Sequence, residues 1–376
     1  MFKLSKSSSV FLDIVRAFFS QMVLIGHSMS FLGLQQRFTD RHVPQIQSIS
    51  VTVLFLLSGF LTIYSANNKR VGNKNYAFKD YFKNRFVRFY TVLIPGLVII
   101  AIIDSLNVYF FREKFTYFTS FNLRTFISNL LMLQDFPRFK AISLFSTTSF
   151  GSARPLWTLP IEWFLYLAFG FFFFKLFNIK GIFKKTLILL IFSFIFIVPY
   201  DNFIFGRGNG LTFTWFLGVI VFYLLKKQIP LTRQTSLITF VTVGIFACLR
   251  IQAIRETFNI DYDPLFSMLC AGCLFFGIRL FTTINWHTLA IQASSVFSKF
   301  SFSLYITHYS LLLLINNWLV SKLNVYLILI IEIIVCNLIA YFFATLFENK
   351  LPKKIMAINL QTNKKTTTEP TRQTTP

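Results

Sequence analysis

Apolar residues in this chain come in long runs separated by short polar links, and they do not show the one-sided stripes of a soluble fold. The runs fall near residues 11–33, 47–66, 89–111, 156–177, 185–200, 211–225, 236–250, 264–281, 298–320 and 325–347. At about 1.5 Å rise per residue, roughly 20 apolar residues cross a ~30 Å hydrocarbon layer. The pattern predicts an all-α polytopic membrane protein of about ten transmembrane helices, with no appended soluble domain. The fifth to seventh spans are the shortest. A membrane domain over 1–350 is followed by a polar tail, 351–376, which lacks periodicity and is expected to be a disordered cytoplasmic segment.

Composition agrees: 55% of the 376 residues are hydrophobic and 19% aromatic. The formal net charge of +23 raises the question of nucleic acid, but no soluble domain exists to carry a basic face, and no nucleic-acid partner is expected. The cations gather in links. Lys69, Arg70, Lys74, Lys79, Lys83, Arg85 and Arg88 oppose one acid, Asp80, between spans two and three. Lys180, Lys184 and Lys185, then Lys226, Lys227 and Arg233, then Lys350, Lys353 and Lys354 alternate to the same side. The positive-inside rule makes that side cytoplasmic, with both termini there and the long link 112–155 outside. Cys270 and Cys273 have metal or redox spacing, but no His or second Cys pair accompanies them. They are read as small packing residues, and no metal is expected.

Against this background, ionisable residues inside spans stand out, since each costs roughly 2.5–3.5 kcal/mol at a helix centre unless it faces a cavity or partner. Span one carries Asp13, Arg16 and His27 within LDIVRAFFSQMVLIGHS. Arg16 and His27 are eleven positions apart, which brings them to one face within about 20° and separates them axially by about 16 Å. Span two holds Ser58-Gly59, a pair that allows close helix approach and that also suits a narrow ligand passage. Arg85 and Arg88, at i and i+3, precede span three; they fit a juxtamembrane anchor or a phosphate clamp. Span four begins Arg154-Pro-Leu-Trp157 and contains Glu162, placed at a depth similar to His27. Span nine carries Ser303, Tyr305 and His308; a histidine there serves either a helix–helix hydrogen bond or chemistry. Asp104 and Glu332 are further intramembrane acids without a motif around them. His42 and His287 lie in links and carry no assignment.

Taken in order, Leu12–His27, Phe55–Phe60, Arg85–Tyr90, Pro155–Tyr166 and Ser301–His308 resemble the membrane-bound acyltransferase-3 family of polytopic O-acyltransferases. Each segment is weakly specific, but five in order on a ten-span chain are strongly so. The chain departs locally: the proline after Tyr90 comes only at Pro95, and Pro160 and Trp163 flank the acid. The resemblance implies transfer of an acyl group, usually acetyl, from cytoplasmic acyl-coenzyme A to a hydroxyl of a cell-surface glycan such as O-antigen or capsular polysaccharide, in a bacterial inner membrane. On that basis His27 is the expected base, and Glu162 its orienter or a second proton carrier. Arg16, Arg85, Arg88, Ser58 and Gly59 are expected on the donor path. Asp13, Trp157, Ser303, Tyr305 and His308 are expected as support. The competing reading is a lipid-linked glycan flippase or solute transporter, which accounts for intramembrane charges but not for an Arg pair placed opposite a deep histidine.

The charge asymmetry makes a direct prediction. A cysteine introduced at position 75 is expected to react with an impermeant thiol reagent from the cytoplasmic side only. Labelling from outside would reverse the topology.

Overall fold

The computed structural model describes residues 2–37, 45–135, 147–175, 180–191, 195, 199–200, 208–253, 262–352 and 354–355. His42, the end of the expected fifth span and the C-terminal tail beyond 355 lie outside the described residues. Among those described, all regular structure is helical. Helix α1 (Lys6–Phe31) is capped by Ser5, whose side chain accepts from the Ser8 amide. A short turn, α2 (Leu34–Arg37), leads towards α3 (Ile46–Gly72) and α4 (Phe78–Phe111). The link after α4 contributes α5 (Leu123–Leu130), and a 3-10 turn over Arg154–Thr158 leads into α6 (Leu159–Phe174). Then come α7 (Ile182–Ile191), α8 (Leu211–Lys226), α9 (Arg233–Ala253), α10 (Pro264–Leu280) and α11 (Thr288–Lys299). Helices α12 (Ser301–Leu319) and α13 (Val325–Ala344) close the chain, the latter running into a π-helical turn, Thr345–Lys350.

Six of these stretches are long and apolar enough to cross a bilayer: α1, α3, α4, Arg154–Phe174, α9 and α13 with its π turn. Helices α8 and α10 coincide with expected spans but are shorter. Helix α12 coincides with the ninth, yet Ser301, Ser303, Thr307, His308 and Ser310 make it more polar than a simple span. The chain is therefore a multi-pass helical membrane protein in which the most polar span is also one of the most buried.

Helix α1 is the central post, packed against α3, α10, α11, α12 and α13. Without water as a competitor, polar side chains join membrane helices. Gln21 and Asn337 exchange two bonds at 2.7 and 2.9 Å between α1 and α13. Asn317 donates to Asn107 at 3.1 Å between α12 and α4. Thr214 and Ser267 join α8 to α10 at 2.7 Å. Elsewhere small residues let backbones meet. A Cβ on Gly59 would run into the Trp215 carbonyl of α8, and one on Gly218 into the Leu56 carbonyl of α3. Pro95 breaks the ladder of α4, and the Gly96 beside it admits Ile306 of α12.

The link between α4 and α6 has its own order. In α5 the polar Thr125, Ser128 and Asn129 are buried, while Leu123, Ile127 and Leu131 are 73%, 45% and 56% exposed. That inverted amphipathicity fits a helix lying in the membrane interface with its apolar stripe towards lipid. The link is pinned inward by Asp104, which accepts from the Ser152 amide at 2.7 Å and the Ser152 hydroxyl at 2.6 Å. The Ser152 hydroxyl in turn lies 2.7 Å from that of Ser310 on α12. Gly151, at φ +55°, abuts the same carboxylate, so both its conformation and its missing Cβ are needed.

Removing this pin exposes its worth. Asp104→Ala leaves the buried Ser152 amide unpaired and its hydroxyl with Ser310 alone, and is expected to cost about 1–3 kcal/mol. A lowered unfolding temperature in detergent checks it, with Leu106→Ala, an exposed position on the same helix, as the near-neutral control.

Candidate functional site

A cavity of about 160 Å³ runs between α1, α3, α4, α6 and α12. On α1 it is lined by Arg16, Ser20 and Val23, a single stripe at i, i+4 and i+7. Helix α3 adds Ser58 and Leu61, α4 adds Arg85 and Arg88, α6 adds Glu162 and Tyr166, and α12 adds Phe302 and Tyr305. Its walls are mixed: apolar side chains from α3 and α12 alternate with hydroxyls and three guanidinium groups.

The three arginines define one end. Arg85 lies over the Tyr166 ring at 4.9 Å and the Tyr81 ring at 5.6 Å, so two aromatic faces hold its plane. Tyr166 donates to Glu162 Oε1 at 2.5 Å, Ser58 donates to the same oxygen at 2.5 Å, and the two hydroxyls are 2.9 Å apart. Arg16 feels the like charge of Arg88 and the opposite charges of Asp13 and Glu348. Glu348 is tied down by the Ser303 amide at 3.1 Å and the Ser303 hydroxyl at 2.6 Å. Lys69 at the end of α3 adds a further positive charge near Arg85 and Arg88. Among the described residues no carboxylate lies within ion-pair distance of Arg16, Arg85 or Arg88, and the one such pair is Arg250–Asp263 at 2.7 Å. The acids nearby spend their lone pairs on hydroxyls, and the guanidinium groups remain available to an anion.

Two histidines stand one turn past the other end. His27 follows Val23 by four residues on α1, and His308 follows Tyr305 by three on α12, so both continue the lining stripes. Their ring centroids are 5.3 Å apart with planes tilted by 33°. Tyr309 meets His27 edge-on at 5.1 Å. Ser28, next in the chain, donates to Glu332 of α13, whose other oxygen is buried without a partner.

The expected site residues therefore divide. Arg16, Arg85, Arg88, Ser58, Glu162 and Tyr305 share the cavity. Tyr305 is fixed there by bonds to the Pro155 carbonyl at 2.6 Å and to Thr158 at 2.5 Å. Asp13 supports Arg16 electrostatically, and Ser303 holds Glu348. Gly59 faces α8 and not the cavity, which is the close-approach alternative. Trp157 packs beside Gly208 and the Tyr262 ring. Glu162 serves Ser58 and Tyr166 and shares no hydrogen bond with His27, whose titratable neighbour is His308. Sequence reasoning missed Glu348, Tyr166 and Tyr309. Glu348 sits at a span end, where acids are unremarkable, but Tyr166 lies one turn after Glu162, and that spacing was a usable signal. Among the described residues no group of three or more His, Cys, Asp or Glu is placed to hold a metal ion.

Three cavity-lining arginines, part-exposed at Arg16 and Arg85 and exposed at Arg88, thus stand at one end of the cavity and two neighbouring histidines beyond the other. The profile of the acyltransferase-3 family, described as an acyltransferase domain, matches residues 9–348. The chain belongs to that family. No curated protein and no solved structure matches it.

Leu61 lines the cavity from α3 and carries no polar group of its own. Leu61→Trp is expected to fill the passage and lower acyl transfer at least about tenfold while the protein still inserts and elutes as a single species. Unchanged turnover would show that the cavity is not on the reaction path.

Proposed function

We propose that the protein is an integral-membrane O-acyltransferase that moves an acyl group, acetyl being the simplest, from cytoplasmic acyl-coenzyme A to a hydroxyl of a surface glycan or lipid-linked sugar. The observation that carries this reading is the set of three cavity-lining arginines without ion pairs, at the Lys/Arg-rich ends of their helices. Coenzyme A brings phosphates, and Arg forks match phosphate oxygens in charge and geometry. The glycan class and the bacterial inner membrane follow from the family resemblance and the charge asymmetry, and both are parts of the proposal.

In this mechanism the donor's phosphates rest on Arg16, Arg85 and Arg88 while its acyl arm follows the stripe Ser20–Val23 towards His27. Neutral His27 takes the proton of the acceptor hydroxyl as the oxygen attacks the thioester carbonyl carbon. The tetrahedral intermediate collapses, the carbon–sulfur bond breaks, and the thiolate leaves with the proton from the imidazolium. The Ser58 and Tyr305 hydroxyls, which already donate to Glu162 and to the Pro155 carbonyl, shape the wall that the arm passes. Glu162 fixes Ser58 and Tyr166, and through the Tyr166 ring it fixes Arg85.

Arg85→Ala and Arg88→Ala are each expected to raise the donor KM about tenfold or more, as loss of a charge-assisted bond of about 1.5–3 kcal/mol implies. Lys at either place restores only part of it. Acyl-coenzyme A titration of purified protein in nanodiscs checks this; parent affinity in the double variant would favour the anchor reading. His27→Gln keeps a hydrogen-bonding side chain but no proton acceptor, and turnover should fall about 10²–10⁴-fold. A flippase or transporter would instead leave acyl-coenzyme A unconsumed in the presence of acceptor glycan.

A further inference from the structure

His308 has an unusual hydrogen-bond account. Its Nδ1 lies 2.9 Å from the Leu304 carbonyl and 3.0 Å from the Tyr305 carbonyl. Carbonyl oxygens only accept, so Nδ1 carries the proton and Nε2 is a bare lone pair. That Nε2 is buried and has no partner. An unpaired buried acceptor costs about 1–3 kcal/mol and calls for a donor in the working state.

The neighbouring donors can be taken in turn. The Tyr305 hydroxyl is engaged by Pro155 and Thr158. The Tyr309 ring stands 6.3 Å from that of His308 at an interplanar angle of 80°, and no hydrogen bond joins the two side chains. Cys336 reaches only the His308 backbone carbonyl, at 3.9 Å. Glu332 as a carboxylate only accepts, from Ser28 at one oxygen with the other unpartnered, and donates nothing to Nε2. His27 remains, its ring 5.3 Å away centre to centre and without a hydrogen bond of its own. An in-line N–H···N bond of about 2.9 Å sets two imidazole centres roughly 5 Å apart, so a rotation of the His27 ring suffices to make it.

We propose that His308 is a positioning residue for His27: its Nε2 accepts the N–H of His27 and leaves the other His27 nitrogen bare, ready to take the acceptor hydroxyl's proton. The inference rests on the reading of His27 as the base. It gives the span-nine histidine a role that the two alternatives from sequence, helix glue or catalyst, did not contain, and it fills the orienting place once expected of Glu162.

The test separates this role from plain packing. Asn in place of His308 keeps an N–H where Nδ1–H was and can still donate to the Leu304 carbonyl, but it has nothing at the Nε2 position. His308→Asn is therefore expected to keep its unfolding temperature and donor KM while kcat falls at least about tenfold. Parent kcat in that variant would overturn the proposal. Solid-state NMR of ¹⁵N-histidine-labelled full-length protein in bilayers, with the His42 and His287 signals assigned by single substitution, reads the tautomers directly. The expected spectrum has His308 protonated at Nδ1 and His27 in a single tautomer, which becomes a mixture in His308→Asn. A His308 protonated at Nε2, or a His27 spectrum indifferent to His308→Asn, would equally sink the idea. The NMR arm does not depend on turnover. If His27→Gln proves fully active, the general-base reading fails on its own, while the tautomer shift still decides whether the two rings are coupled.

Discussion

Positive charge held inside a membrane protein without direct ion pairing is the constraint around which the rest is arranged. Desolvating a guanidinium costs several kcal/mol unless something offsets it, and like charges such as Arg16 and Arg88 add to that cost. The chain offsets it at one remove. Glu162 is bound by Ser58 and Tyr166, and Glu348 by Ser303, so each carboxylate supplies a field without closing onto an arginine. Aromatic faces under Arg85 supply more, and they fix its plane. The arrangement leaves the arginines incompletely neutralised, which is the property the proposed donor binding uses. A tighter set of salt bridges would be more stable alone and worse at binding an anion.

The scaffold follows from the need to hold those charges on five different helices. Helix α1 contributes Arg16 and His27 and is correspondingly the helix with the most neighbours, tied to α13 by the Gln21–Asn337 pair and by Ser28 to Glu332. Helix α3 must bring Ser58 to Glu162 while passing close to α8, which is why Ser58 and Gly59 point in different directions and why Gly218 lies opposite. The Asp104–Ser152–Ser310 chain plays the same part at the far end of α4: it seats the link that leads into α6 and thereby sets where Glu162 and Tyr166 begin.

Much of this was legible from periodicity alone. The eleven-residue interval between Arg16 and His27 specified a shared stripe; Arg16, Ser20 and Val23 of it line the cavity, and His27 lies a turn beyond. The i, i+3 spacing of Arg85 and Arg88 placed both on one face, and both reach the cavity. What stayed hidden depends on contacts between distant segments. Nothing local marks Glu348 as a counter-charge, because its partner is Ser303, 45 residues earlier. Nothing in Ser58-Gly59 says which of the two faces the ligand path and which faces α8. The assignment of Glu162 to His27 assumed that similar depth means contact, whereas α6 presents its acid to α3 and α4. Span counting was limited for a related reason: a helix buried within the bundle, such as α12, is released from the demand for uniform hydrophobicity that lipid imposes, so hydropathy understates it.

The cavity has a direction, and that direction is chemically meaningful. Guanidinium groups stand at one end, apolar and hydroxyl walls between, and two imidazoles just past the other, with about 16 Å of helix separating Arg16 from His27. Guanidinium charge is thus confined to the end where a phosphorylated ligand would be anchored, and imidazoles able to be neutral near pH 7 occupy the end where proton transfer would occur. An arginine beside His27 would hold the imidazole neutral but would also attract the anionic part of the donor to the wrong end. A carboxylate bonded directly to His27 would favour imidazolium, and the acid that contacts α1 here, Glu332, takes the Ser28 hydroxyl instead. A second histidine avoids both faults, since it can accept or donate without a fixed charge. That makes the pairing of His27 with His308, rather than either residue alone, the feature that most sets this end of the cavity apart from a simple polar contact between helices.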